Sequence, residues 1–258
     1  MKFLKRISIF LNKPKVFCIG MNKTGTTTMS KIFKRLNFRV APQIKQEEIL
    51  GDINFKDEEY KIKKFCWKYN FFQDLPFSQG DSYKKIDKIF PKSKFILTVR
   101  ESNHWFESLC NFHLIYFKKM GYNFKDIKQV KEEHLKKFDW IKKGYYYEYT
   151  KNLWISEIKN NQVVYNWDLL YDKSHYIKVY EKRNKEITNY FTDRKSDLLI
   201  FNVNENRDIS KILSFLNLSN QLNFNLPHEL KSNYNLIQNI QDSLNAIKEI
   251  IIRHIEDK

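Results

Sequence analysis

The sequence is poor in the residues that interrupt regular structure. Among 258 residues there are only six glycines and five prolines, so each marks a place with a special backbone requirement. The three cysteines, Cys18, Cys66 and Cys110, form no C-x-x-C pair. This pattern argues against a disulfide scaffold or a structural zinc and predicts a reducing, cytoplasmic location.

Long apolar runs are also absent. No window approaches 18 uninterrupted apolar residues, so no membrane-spanning helix is predicted. Residues Met1–Leu11 are basic with a short apolar stretch, but no small-residue cleavage site follows. A secretory signal peptide is therefore not expected.

Acidic residues are outnumbered by basic ones. Forty-six lysines and arginines stand against 30 aspartates and glutamates, which gives a net charge of +16. Such a charge attracts anions, although a lysine-rich surface that follows from biased composition explains it equally well. Because 42% of the residues are hydrophobic and 16% aromatic, the chain is not disordered, and its length suits one domain over residues 1–258.

Apolar runs alternate with segments of helical periodicity, which indicates an α/β domain with a central parallel sheet flanked by helices. The predicted strands are Lys15–Gly20, Phe71–Leu75, Lys94–Arg100 and Asp197–Val203. The predicted helices are Thr27–Leu36, Glu58–Tyr69, Asp81–Phe90, Ser102–Met120 (with Ser102 or Asn103 as N-cap), Tyr145–Lys159, Tyr171–Phe191, Asp208–Leu216 and Glu229–Ile255.

A glycine-bounded loop follows the first predicted strand. Gly20 and Gly25 have the spacing of the nucleotide P-loop, G-x-x-x-x-G-K-[ST], but Thr26 stands at the lysine position. The only lysine of the loop is Lys23. Backbone amides at such a helix start bind oxyanions, and hydroxyls are added by Thr24, Thr26, Thr27 and Thr28. A turn that merely caps the helix is the alternative.

A second anion site is predicted at the end of Lys94–Arg100. Arg100 stands at the carboxyl end of a strand, where α/β sheets bind ligands, and arginine binds phosphate with two parallel hydrogen bonds. Ser108 lies on the helix that follows, within reach of the same oxygens. The alternative is an arginine paired with a surface carboxylate and a serine that faces solvent.

Both motifs resemble those of sulfotransferases that use 3′-phosphoadenosine-5′-phosphosulfate (PAPS). K-T-G-T-T-T (23–28) is similar to their 5′-phosphosulfate loop, and F-I-L-T-V-R (95–100) followed by Ser108 is similar to their 3′-phosphate motif. The resemblance covers most of the chain and implies a P-loop NTPase-like sulfotransferase fold, with PAPS as co-substrate and no metal. It implies that Lys23 contacts the bridging oxygen, with Thr24, Gly25, Thr26, Thr27 and Thr28 around the 5′ group. The 3′-phosphate would be bound by Arg100 and Ser108.

The segment Asp74–Phe77 resembles the H-L-P-F segment that carries the catalytic histidine of cytosolic sulfotransferases, with Asp74 in the histidine place. This match implies that Asp74 is the general base, whereas a turn cap or a partner for Lys23 is the alternative. The later segments resemble a bacterial and animal sulfotransferase subfamily, at Tyr180, Asn184, Tyr190, Phe191 and Leu226–His228. That subfamily often has histidine in place of Arg183 and tryptophan in place of Ile209.

The acceptor is expected to be a hydroxyl or amine of a glycan, lipid or small molecule. Lys118–Gly144, the least regular segment, is predicted to be an acceptor-binding insertion. Tyr145–Tyr147 and Tyr149 could line that site, but their helical spacing favours core packing. Nucleic acid is not expected as a partner, and contact with a membrane surface and the oligomeric state are left open.

Two other functions fit parts of the sequence. A small-molecule or nucleotide kinase with a divergent P-loop would need ATP and Mg²⁺, and the displaced lysine argues against it. A binding module for anionic polymers would show salt-sensitive binding without turnover. The six histidines have no paired ligand spacing, so no metal site is predicted; a phosphate contact for His104 is less expected than a helix cap.

Overall fold

The structure, a computed structural model, describes residues 13–50, 59–138, 141, 144–205 and 209–218. The chain divides into two compact units, residues 1–205 and 206–258, and each is described by itself. The predicted features at Met1–Leu11, Leu226–His228 and Glu229–Ile255 lie outside the described residues. One domain over residues 1–258 stays a prediction.

A parallel four-stranded sheet forms the centre of the first unit and confirms the predicted α/β fold. The strands are β1 Val16–Cys18, β2 Phe71–Gln73, β3 Lys94–Val99, β4 Ser156–Lys159, β5 Gln162–Tyr165 and β6 Leu198–Asn202. The sheet has the order β2-β1-β3-β6 with all pairs parallel. β1 is fully buried, as expected for a central strand covered on both faces.

The described helices of the first unit are α1 Thr26–Arg35, α2 Gln43–Leu50, α3 Glu59–Trp67, α4 Ser82–Ile89, α5 Ser102–Lys119, α6 Glu132–Lys136, α7 Tyr145–Trp154 and α8 Lys173–Tyr190. Short 3-10 turns lie at Ile127–Gln129, Trp167–Leu169 and Thr192–Asp197. The second unit contains α9, Ser210–Phe215. Most predicted helices are confirmed within a few residues, whereas α2 and α6 were not predicted. Helix α6 lies in Lys118–Gly144, whose acceptor-binding role stays a prediction.

The predicted helix Tyr145–Lys159 is wrong in its last part. It ends at Trp154, and β4 then pairs antiparallel with β5. Asn160 and Asn161 join the two strands with positive φ angles of 51° and 60°. Asparagine tolerates this conformation, which two-residue hairpin loops require, so the Asn-Asn pair explains why a hairpin forms here.

The predicted N-cap of α5 is also wrong. Glu101, not Ser102 or Asn103, caps the helix, because its carboxylate accepts hydrogen bonds from the N–H groups of Asn103 (3.0 Å) and His104 (2.8 Å). These bonds lower the pKa of Glu101 to about 2. The cap fixes the start of the helix that carries Ser108.

The outer edge of β2 is completed partly by a side chain. Val40 pairs with Phe71 as an isolated bridge. Two residues further along β2, the side-chain amide of Gln46 binds the backbone in place of a neighbouring strand. Its Nε2 donates to the carbonyl of Gln73 (3.0 Å), and its Oε1 accepts from the N–H of Gln73 (3.2 Å). Gln46 is completely buried, so α2 is fixed against the end of β2 by hydrogen bonds.

Helix α8 packs into both apolar cores of the first unit. Its first half, through Tyr176 and Tyr180, belongs to a cluster built with α5 and α7. Its second half, through Ile187, packs with β1, β3 and α4. The middle of α8 is therefore positioned at the carboxyl edge of the sheet.

Candidate active site

The loop between β1 and α1 depends on two glycines. A Cβ on Gly20 would lie 2.1 Å from Oγ1 of Thr98 and 2.3 Å from its carbonyl oxygen, so only glycine fits. Gly25 has a φ of 99°, and a Cβ there would lie 2.7 Å from Cγ2 of Val203. The glycine spacing therefore reflects a close approach of the loop to the ends of β3 and β6.

The four threonines of the loop have different environments. Thr24 is buried, and its hydroxyl lies 2.7 Å from Oγ1 of Thr98 and donates to the carbonyl of Met21. Thr26 is buried at the start of α1 and donates to Oδ2 of Asp74 at 3.4 Å. Thr27 is exposed and Thr28 half-buried. Thr24 thus stabilises the loop, while Thr26 connects it to β2.

Lys23 is half-buried at the tip of the loop, with a φ of 67°. Its ammonium lies 4.4 Å from the centre of the Phe112 ring on α5. Burial lowers the pKa of Lys23, and Arg100 lowers it further, while Asp74 opposes the shift. No described carboxylate lies within 4.0 Å of the ammonium, so the expected alternative of an Asp74–Lys23 ion pair is not formed.

Asp74 directly follows β2 and has a φ of 61°. Its Oδ1 accepts hydrogen bonds from the N–H of Leu75 (2.9 Å) and the hydroxyl of Ser78 (3.4 Å). Burial raises the pKa of Asp74, although these hydrogen bonds and the Lys23 charge partly offset the effect. Asp74 therefore does cap a turn, and its second oxygen faces the loop through Thr26.

Arg100 follows β3 and is fixed through its backbone. The hydroxyl of Tyr180 accepts from the Arg100 N–H and donates to its carbonyl oxygen, both at 3.0 Å. The Tyr180 ring stacks on Trp105, 4.2 Å between centroids, and Trp105 Nε1 donates to the carbonyl of Asn22 at 3.2 Å. This chain of contacts joins Arg100 to the loop.

The Arg100 side chain has a hydrogen-bond donor without a partner among the described residues. Its Nε is buried and has no hydrogen-bond partner within the part of the chain that is described. No described carboxylate forms an ion pair with it, so the alternative of a surface salt bridge is not seen. Ser108, the second predicted ligand, is half-buried one helical turn before Phe112. A buried guanidinium donor without a protein acceptor is suited to an anionic ligand.

Three ionisable groups therefore meet at one edge. Lys23, Asp74 and Arg100 follow β1, β2 and β3, which are neighbours in the sheet. Asp74 raises the pKa of Lys23 and Arg100 lowers it, so both charges act on the Lys23 ammonium. All three were predicted as site residues, Lys23 and Asp74 on the resemblance to sulfotransferase motifs and Arg100 also on its place at the carboxyl end of a strand. Their roles stay predictions.

The sulfotransferase domain family matches residues 15–232 of the chain. The chain belongs to this family. No curated protein matches the sequence. Transfer of sulfuryl groups is thus the activity of the domain in general, and the resemblance of its motifs to those of sulfotransferases is confirmed at the level of the family.

Metal-ligand clusters and long apolar helices are not found within the described ranges. No group of three or more His, Cys, Asp or Glu residues within them could hold a metal ion. No helix there is long and apolar enough to cross a membrane. His104 is exposed and lies 3.3 Å from Glu101, where it supports the cap of α5.

The sulfotransferase domain also contains a buried histidine that sequence reasoning missed. His113 follows Phe112 on α5, and its ring nitrogens lie 3.1 Å from the hydroxyls of Tyr146 and Tyr171. Burial, with a smaller effect of Lys23, lowers the pKa of His113 to about 3. The imidazole is therefore neutral and adds no positive charge next to Phe112, the ring that the Lys23 ammonium contacts. Its position gave no signal in the sequence, because its partners are 33 and 58 residues away.

Proposed function

We propose that this sulfotransferase domain transfers a sulfuryl group from PAPS to a hydroxyl or amine of an acceptor and releases adenosine 3′,5′-bisphosphate (PAP). The observation that carries the proposal is the meeting of Lys23, Asp74 and Arg100 at one edge of the sheet. The buried, unpartnered Nε of Arg100 fits a ligand with a second phosphate.

The loop residues bind the 5′ end of the donor in this proposal. The backbone amides at the start of α1 contact its oxygens, together with the side chains of Thr27 and Thr28; Thr24, Gly25 and Thr26 give the loop its shape. Arg100 and Ser108 bind the 3′-phosphate. Lys23 contacts the bridging oxygen, where negative charge develops as the S–O bond breaks, so its charge stabilises the transition state.

Asp74 acts on the acceptor. As the acceptor oxygen or nitrogen forms its bond to sulfur, Asp74 takes the proton, and the bond between sulfur and the 5′-phosphate oxygen breaks to leave PAP. The raised pKa of Asp74 favours this role, because a buried carboxylate is a stronger base than an exposed one. The acceptor is a glycan, a lipid or a small molecule, and no metal takes part.

A kinase remains the second candidate, because the loop is related to the nucleotide P-loop. Thr26 stands at the position of the P-loop lysine, and its hydroxyl donates a hydrogen bond to Asp74. The lysine that binds nucleotide phosphates in kinases of this type is therefore missing at this position. We also propose a cytoplasmic location, in keeping with the free thiols of Cys18, Cys66 and Cys110.

Thermal unfolding with nucleotide separates the two candidates. PAP at one hundred times its dissociation constant should stabilise the protein by about 2.7 kcal/mol. ATP with Mg²⁺ at the same concentration should stabilise it clearly less, since it lacks a 3′-phosphate. Equal stabilisation by both ligands would remove the case for PAPS, and release of labelled PAP from labelled PAPS in a host extract would support it.

A further inference from the structure

Arg183 is a buried cation to which none of the roles above applies. It lies on α8, three residues after Tyr180, and is only 5% exposed. Burial lowers the pKa of Arg183 to about 10, so it stays charged at neutral pH. Within the described ranges no carboxylate forms an ion pair with it. A buried charge without a counter-charge is costly, so its presence calls for a reason.

Two carbonyl groups fix the guanidinium in place. Nη1 donates to the carbonyl of Ile19 at 2.9 Å, directly before the loop, and Nε donates to that of Gly80 at 3.3 Å, at the end of the segment that begins with Asp74. Nη2 is buried and has no partner among the described residues. The side chain is thus held rigidly, with one donor left over.

Arg183 lies between the residue before the anion-binding loop and the chain that follows Asp74, because it donates to the carbonyls of Ile19 and Gly80. Tyr149, half-buried on α7, is within electrostatic range of Arg183 and Asp74: burial raises its pKa, Asp74 raises it further, and Arg183 lowers it. The neighbouring Tyr145 donates to Oε1 of Gln79 at 3.3 Å, next to Gly80. By contrast, the charges that shift the pKa of Lys23 are Asp74 and Arg100. Arg183 is held by the carbonyls of Ile19 and Gly80, whereas the backbone of Arg100 is held by Tyr180, so the two arginines have different positions.

We propose that Nη2 of Arg183 binds an anionic group of the acceptor. The acceptor then carries a carboxylate, a phosphate ester or a sulfate ester in addition to the hydroxyl or amine that Asp74 activates. This inference rests on the proposed function, and it narrows the acceptor to acidic molecules. Arginine suits the task, because it remains charged when buried and offers several donors in a fixed plane.

Inorganic phosphate serves as the probe. The protein is saturated with PAP, so that the sites for the 5′- and 3′-phosphates are filled, and phosphate is titrated at constant ionic strength by calorimetry. The wild-type protein should bind one further phosphate. Arg183→Gln should weaken this binding at least about tenfold, as expected for loss of a charged hydrogen bond, with PAP affinity retained.

Lys182→Gln is the matched control. It removes the same charge from the neighbouring position of α8, where the side chain is 73% exposed, and should leave phosphate binding unchanged. No further phosphate in the wild-type protein, or equal binding by Arg183→Gln and wild type, overturns the inference. If Arg183→Gln does not fold, Arg183→Met replaces it, because this variant also removes the charge and the donors, and unchanged phosphate affinity in it has the same meaning.

The two proposals fail separately. If the protein binds no PAP, the proposed function is wrong. A phosphate titration of Arg183→Gln and Lys182→Gln without PAP still decides whether Arg183 binds anions. A protein that binds PAP but shows no effect at Arg183 keeps its proposed function and loses only the acidic acceptor.

Discussion

The hydroxyl of Thr26 donates a hydrogen bond to Oδ2 of Asp74 at 3.4 Å. Thr26 is the first residue of α1, and Asp74 directly follows β2. The contact therefore joins the anion-binding loop to the proposed base. In the proposed reaction, a sulfuryl group held by the loop would lie next to the carboxylate proposed to take the acceptor proton, and proton transfer requires such a short distance.

Replacement of Asp74 tests its role as the base. Asp74→Asn keeps the shape and the acceptor for the Leu75 N–H, but removes the basic oxygen. We expect kcat to fall by about 10²–10⁴-fold, with PAP affinity nearly unchanged. Steady-state kinetics and a PAP titration measure both quantities. Retained turnover would show that Asp74 only caps its turn.

The difference in stability between Asp74→Asn and the wild-type protein should depend on pH. The raised pKa of Asp74 means that the folded protein binds this proton more tightly than the unfolded chain does. Ionisation of Asp74 therefore destabilises the fold, increasingly as pH rises from its ordinary value of 3.8 through the raised pKa. Asp74→Asn should therefore gain free energy of unfolding relative to wild type as pH rises above 3.8, and thermal unfolding at several pH values measures this gain.

Asp87 provides the opposite case for this measurement. Burial raises the pKa of Asp87, but hydrogen bonds from Arg194 and Tyr190 outweigh this effect and hold the pKa below its ordinary value. Asp87→Asn should therefore lose stability relative to wild type at neutral pH, and the loss should shrink as pH falls below 3.8 toward the lowered pKa. Urea unfolding at several pH values measures how the stability difference between each variant and wild type changes with pH. The same pH dependence for Asp74→Asn and Asp87→Asn would contradict the environments assigned to the two carboxylates.

Lys23 should matter more for turnover than for binding. Lys23→Ala should lower kcat by at least about a hundredfold, because the charge on the bridging oxygen grows only in the transition state. Lys34→Ala, an exposed position on α1, removes the same charge and should have little effect. A raised KM for PAPS with unchanged kcat would limit Lys23 to binding.

Arg100 should discriminate between nucleotides. Arg100→Ala should weaken PAP binding by about 1.5–3 kcal/mol. It should weaken the binding of adenosine 5′-phosphosulfate much less, because this ligand lacks the 3′-phosphate. Ser108→Ala should act in the same direction with a smaller effect. Calorimetric titration of both ligands provides the comparison, and equal losses would show that Arg100 does not contact the 3′-phosphate.

The Gln46 amide should stabilise the edge of β2. Gln46→Leu places an apolar side chain of similar size in a fully buried position, but it leaves the N–H and carbonyl of Gln73 without the partners described above. Each unsatisfied buried group costs about 1–3 kcal/mol. Lys45→Leu, exposed on the same helix, is the control, and comparable midpoints in urea for both variants would contradict the role of Gln46.

Local patterns explain how much of the fold could be predicted. Apolar runs between turn residues located the four parallel strands. Motif resemblance singled out Lys23, Asp74 and Arg100, and the strand order in the structure places them at neighbouring strand ends. The β4–β5 hairpin was missed, although Asn160 and Asn161 gave a signal, because the aromatic periodicity before it was extended too far. Contacts such as Arg183 with Ile19 join residues 164 positions apart, and no local pattern reveals them.

One helix connects both halves of the site. Tyr180 holds the backbone of Arg100, and Arg183 stands one turn later on α8. Any rotation of α8 that adjusts one residue also moves the other, so occupancy at the donor end and at the acceptor end would share a coupling free energy. By thermodynamic reciprocity, the factor by which PAP changes acceptor affinity must equal the factor by which acceptor changes PAP affinity.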